Sequence, residues 1–287
     1  MPNLWFPALI LTTTVTGCAH GPTPPTSKVG AAPGAPPSAA ANQATAAPLP
    51  APPDPTAAAS FLAAVRAGDL AAVQQRLGRD PALTAARTEG GTSAVQVALF
   101  RIQDNQEDFY PPAANPILQA VLAAHPALDP YETAAVGDAA VLARLIGADP
   151  ALVSRLHPIG WTVLHYAAFG GNAAAVRLLL DHGAALEQVA ANKFGNTPLH
   201  VALLTGDHAT VELLVERGAN LEARYDGGTT PLHLAAALGR VDLLTVLLAH
   251  GAAIDARSDA GATALSIAIK SKRLDAAELL RRRGAHT

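Results

Sequence analysis

Histidine and cysteine offer this chain most of its possible chemistry, and it has ten of the first and one of the second. His165, His200 and His233 stand at one position of a recurring pattern, with Ser266 at the fourth copy. Imidazoles brought together can hold a metal ion or move a proton. A shared zinc needs its imidazole nitrogens within about 2.1 Å, whereas neighbouring helices pack about 8–10 Å apart. One histidine per copy therefore makes a ladder and not a ligand set, and no metal or cofactor is expected. His182 and His250 also recur together, near helix C-termini, where a cationic partner for the helix dipole is sufficient reason for them. The chain lacks a Gly-x-Ser-x-Gly elbow, a phosphate loop, a His-Glu-x-x-His pair and a dinucleotide fingerprint. It is expected not to be an enzyme.

The elements that position these histidines are short and repeated. GWTVLHYAAFGG, GNTPLHVALLTG, GTTPLHLAAALG and GATALSIAIKSK begin at Gly160, Gly195, Gly228 and Gly261, with periods of 35, 33 and 33 residues. A second glycine (Gly183, Gly218, Gly251, Gly284) follows 18 residues after each His or Ser. A period near 33 describes stacked small units and not one globular core. In the second copy Thr197 can cap a helix and Pro198 suits its first turn. Leu199, Ala202 and Leu203 give that helix an apolar face, and Gly206 can end it in the left-handed conformation. Val211, Leu214 and Val215 then space the buried face of a second helix. Two helices this short do not hold together alone in water, so each pair must pack on the next.

The TPLH core, the LLL-x-x-G-A run of residues 178–184 and the 33-residue period resemble ankyrin repeats. The resemblance covers residues 160–284 and implies an all-α solenoid of stacked helix–turn–helix units, with clear repeats at 159–191, 192–224, 225–257 and 258–287. Ser266 and the arginine-rich residues 279–284 suggest a terminal capping repeat. Val163 and Ala264 stand where proline is usual, which should loosen those helix starts. The resemblance also implies a structural hydrogen-bonding role for His165, His200 and His233. Ankyrin repeats bind partners through their turn tips and the inner face of their first helices. On this chain that surface would hold Ile159, Trp161, Phe169, Phe194, Tyr225 and Leu238 as one apolar and aromatic stripe. Packing of Trp161 and Phe169 against the next repeat is the alternative for those two.

Earlier residues carry a worn version of the pattern. FLAAVRAGDLAAVQQRL has the helix–glycine–helix rhythm, with Gly68 in the place of Gly206. GTSAVQVAL echoes GWTVLHYAA, and VGDAAVLARLI around Gly137 supplies another unit. About seven repeats are expected in 57–287, the first three degenerate. Residues 103–115 interrupt the array and carry Asp104, Glu107 and Asp108. They read as a tolerated insertion or as a functional loop.

Ahead of the array, residues 4–15 are largely apolar and uncharged, too short to span a membrane and interrupted by Pro7. With residues 1–17 they fit a secretory signal, and Val15-Thr16-Gly17-Cys18 resembles a bacterial lipobox, with Cys18 as the lipidated residue. A chance cysteine after an ordinary signal is the other reading. Residues 18–56 form the attachment point and an Ala/Pro-rich tether; residues 19–56 hold eleven prolines. The expected location is the cell envelope, at the outer membrane facing the periplasm.

A formal net charge of −3 gives no general reason to expect nucleic-acid binding. The basic residues Lys270, Lys272, Arg273, Arg281, Arg282 and Arg283 suit the polar outer face of a terminal repeat, or an acidic partner. Together these readings describe a monomeric, lipid-anchored scaffold for an unknown protein partner. A periplasmic immunity or inhibitor protein that occludes a toxin or enzyme is the alternative.

Overall fold

The structure, a computed structural model, describes residues 53–100 and 114–287. The signal, Cys18, nearly all of the tether and residues 103–113 of the insertion lie outside the described residues.

Among the described residues every regular element is helical, and fourteen α-helices follow one another as seven pairs. The front pairs are α1 (Pro55–Ala67) with α2 (Leu70–Arg79), α3 (Ala94–Leu99) with α4 (Pro116–Ala123), and α5 (Pro130–Val136) with α6 (Ala139–Ala148). Then come α7 (Val163–Gly170) with α8 (Ala173–Asp181), α9 (Pro198–Thr205) with α10 (His208–Glu216), α11 (Pro231–Leu238) with α12 (Val241–Ala249), and α13 (Ala264–Lys270) with α14 (Leu274–Arg282). α1 begins at Pro55, capped by the Asp54 side chain on the Ala57 amide at 2.9 Å, so the array starts slightly ahead of the expected residue 57.

The first helices stack on one another in one layer and the second helices in another. Between the pairs, Leu164, Leu199, Leu203 and Leu214 are fully buried, and each such side chain stabilises the stack by about 1.5–3 kcal/mol. The absence of proline at Val163 and Ala264 does not prevent α7 and α13 from starting there. α5 and α7 approach most closely through Gly170, where a Cβ would lie 1.9 Å from the Ala135 carbonyl oxygen. Gly137 ends α5 differently from the way Gly68 and Gly206 end α1 and α9. Those two adopt φ of 75° and 71°, whereas Gly137 has φ −94° and extended backbone.

One junction differs from the rest. Along both layers, neighbouring pairs pack helix to helix, but α3 does not approach α5 closely, nor α4 α6. Among the described residues, the hydrogen bonds and ring contacts between the front two pairs and the remainder of the array are made by side chains.

Candidate interaction surface

Each later repeat begins with the same small network. In the Thr162–His165 pair, the Thr162 amide donates to His165 Nδ1 at 3.2 Å and the Thr162 hydroxyl lies 2.9 Å from the same nitrogen. An Nδ1 that accepts the amide leaves the proton on Nε2, which donates to the Asn196 carbonyl of the next repeat at 3.2 Å. His233 does the same with Thr230 and with the Ala262 carbonyl at 3.0 Å. His200 caps Thr197 in this way, but its buried Nε2 has no hydrogen-bond partner. Burial pushes His165 and His200 down to about 4 and lowers His233. Ser266 completes the local cap of α13 through the Thr263 amide at 2.9 Å but is too short to reach onward.

The turn tips lie beside this ladder and are linked by backbone. Ala191 donates to the Gly160 carbonyl at 2.8 Å, Asp226 to Phe194 at 3.2 Å and Asp259 to Gly227 at 3.0 Å. The tip ahead of Thr230 carries two consecutive left-handed glycines, Gly227 and Gly228, each at φ 70°, where the other tips have one. Its Tyr225 ring lies over His200 with centroids 4.6 Å apart, and burial raises the Tyr225 phenol.

Between the tips at 193–195 and 224–228 lies an open cleft. Its walls include Val189, Phe194, Tyr225 and both charge signs, Lys193 and Arg224 against Asp226 and Asp259. Val189 is 52% exposed, while Phe194 and Tyr225 are half-buried. Lys193 Nζ sits 4.9 Å from the Phe194 ring centre. Arg224 and Asp259 form a loose, exposed pair at 3.7 Å. The site thus joins two aromatic rings to a mixed-charge, largely polar lining, and aromatic rings are what protein interfaces concentrate.

The remaining stripe residues fall elsewhere. Ile159 and Leu238 are half-buried, on the tip ahead of α7 and at the end of α11. Trp161 and Phe169 are 1% and 5% exposed, so they present no surface to a partner in this conformation. Both pack with Phe100, at ring distances of 5.7 and 5.1 Å, and Tyr166 joins the cluster at 5.7 Å from Phe100. The physical reason is the weak helix packing at the front junction, where these large rings fill the space.

Three further devices were not anticipated. Glu187, Glu222 and Asp255, each four residues after a repeat glycine, accept from the backbone amides of Asn220, Ala253 and His286 one repeat on, at 2.8, 2.8 and 2.7 Å. Arg87, Arg224 and Arg257 each reach the carbonyl of the tip glycine four residues later. The recurrence of these residues at fixed offsets was the available signal. The third is Glu132, which occupies the histidine position: Asp129-Pro130-Tyr131-Glu132 stands where later repeats have Thr-Pro-Leu-His. Glu132 is fully buried, accepts from the Asp129 amide at 2.9 Å and hydrogen-bonds the Ser93 hydroxyl.

The sequence model of one protein family, ankyrin repeats (3 copies), matches residues 132–225 and 222–287, more than half of the chain. No curated protein matches the chain.

Proposed function

From the premise that this chain belongs to the ankyrin repeat family, whose repeats generally mediate protein–protein interaction, we propose that it is a lipid-anchored scaffold of the bacterial cell envelope. It holds a protein partner in the cleft between the tips at 193–195 and 224–228. The observation that carries this reading is the pairing of Phe194 and Tyr225 in one open cleft with Lys193, Arg224, Asp226 and Asp259 around it. Aromatic rings supply most of an interface's affinity, and a mixed-charge lining selects orientation. Cys18 provides the anchor, and the proline-rich residues after it join the anchor to the array.

The test is cross-linking in membrane fractions with wild type, Cys18→Ser and Phe194→Ala. Phe194 is the better probe because Tyr225 also supports His200. Release of Cys18→Ser from the membrane, and loss of one cross-linked neighbour in Phe194→Ala with an unchanged urea midpoint, are the expected results. A wild type that is already soluble removes the anchor. A neighbour retained by Phe194→Ala and by Lys193→Glu removes the cleft.

A further inference from the structure

The junction between the front two helix pairs and the rest of the array is held by a buried acid. Ser93 precedes α3 and hydrogen-bonds Glu132 on α5, while Gln96 Nε2 donates to Asp129 Oδ2 at 3.1 Å. Phe100, at the end of α3, reaches past α5 to Trp161, Tyr166 and Phe169. No close helix packing of α3 on α5 or of α4 on α6 reinforces these links. Elsewhere the equivalent position holds a histidine (His165, His200, His233), the Ser266 of the final repeat, or Ala57 and Gln96 in the two front pairs. Here it holds a carboxyl group with no water access.

We propose that Glu132 is a proton-dependent latch: its carboxyl holds α1–α4 on the array when protonated, and ionisation loosens them and uncovers Trp161 and Phe169. The charged form is disfavoured because burial removes its hydration. Its surroundings compensate only in part. The Ser93 hydroxyl and the Asp129 amide stabilise the anion, the Asp129 carboxylate beside it opposes it, and among the described residues Arg87, from the turn before α3, is the cation acting on it. From α7 and the turn before it, Tyr166 and His157 face the same region; burial holds the Tyr166 phenol neutral and lowers the His157 imidazole below its ordinary value. The carboxyl therefore titrates above its ordinary value of 4.5. A raised folded value means that the junction is strongest below 4.5 and weakens as pH rises through the folded value. Opening of α1–α4 withdraws Phe100, so the aromatic cluster becomes a conditional surface, available to a partner at higher pH and covered at lower pH.

The experiment follows hydrogen exchange of the α1–α4 amides across pH 4.5–8, corrected for intrinsic rates, in the full chain. A Trp5→Phe background makes Trp161 the only tryptophan, and its quenching by acrylamide gives a second readout. The opening constant of α1–α4 should rise by up to about tenfold per pH unit between the unfolded and folded pKa values, and Trp161 quenching should rise with it. Glu132→Gln should be flat in both readouts. If that variant does not fold, Ser93→Ala serves instead: it should open more than wild type at every pH, because α3 loses the cap that Ser93 gives the Gln96 amide at 3.0 Å, and by a clearly larger factor at neutral pH, because the anion has also lost a donor. A wild-type opening constant that does not change with pH overturns the proposal. So does an unchanged pH response in Glu132→Gln, or a Ser93→Ala defect of equal size at every pH.

Discussion

The ring of Tyr225 lies 4.6 Å from that of His200, over the one ladder histidine whose Nε2 has no hydrogen-bond partner. His165 and His233 instead donate to the carbonyls of Asn196 and Ala262. In the His200 repeat the imidazole still faces the Ala223 and Thr229 carbonyls of the next repeat without closing a well-formed hydrogen bond, and a ring contact with Tyr225 is added.

This asymmetry sets an order for mutational cost. His165→Leu loses the local cap and a well-formed bond to the next repeat, while His200→Leu loses the cap and only a weaker attraction to the Ala223 and Thr229 carbonyls. The first should destabilise by about 1 kcal/mol more than the second, the usual net worth of one buried hydrogen bond. Urea midpoints at pH 7 measure the difference, and equal midpoints would show that the bond to Asn196 contributes nothing.

Acid should weaken the histidine ladder. His165 and His200 titrate at about 4 in the fold, against a usual value of 6.5. A folded value below the unfolded one means that their contribution is complete above 6.5 and is lost as pH falls toward 4. At pH 5 the loss is on the order of 2 kcal/mol for each histidine. Denaturation followed between pH 7 and 5, with and without His165→Gln and His200→Gln, measures it. Glu132 runs the other way, so acid should strengthen the front junction while it weakens the later repeats.

Two glycines should respond to alanine with opposite signs. Gly170→Ala places a methyl 1.9 Å from the Ala135 carbonyl oxygen, in the tight α5–α7 contact. Overpacking of this kind costs about 1–3 kcal/mol. Gly78 lies inside α2 with open space where its Cβ would stand. Alanine there should stabilise by about 0.5–1 kcal/mol, because glycine is a poor helix former. Thermal unfolding of both variants tests the pair.

Lys272 has φ 58°, at the position where α7, α9 and α11 end on the left-handed glycines Gly171, Gly206 and Gly239. A side chain in that conformation costs about 1–2 kcal/mol. Lys272→Gly should recover about 1 kcal/mol of that strain, less the entropy glycine adds to the unfolded chain. An unchanged or lower midpoint would show that the lysine makes a compensating contact.

Local spacing made the histidine caps legible. A cap involves residues three apart on one turn, as in Thr162 with His165, so its geometry follows from the helix itself. The buried acid was not legible, because Asp129-Pro130-Tyr131-Glu132 shares only its proline with the TPLH motif. The likeness lies in the role of N-cap and third residue, not in residue type. Trp161 was left open between surface and packing for a different reason. Turn tips are ordinarily exposed, and the rings that cover it include Phe100, sixty-one positions earlier in sequence, along with Tyr166 and Phe169.

The sequence by itself determined the helical repeats of residues 160–284, their period and the residues that cap most of their first helices. These depend on interactions within a turn or two of chain, where residue type and spacing act directly. Tertiary structure alone decided which aromatic side chains remain at the surface and where the array is weakly joined. Both depend on how closely two stacked helices approach, and that distance is set by side chains from different repeats meeting across the layer.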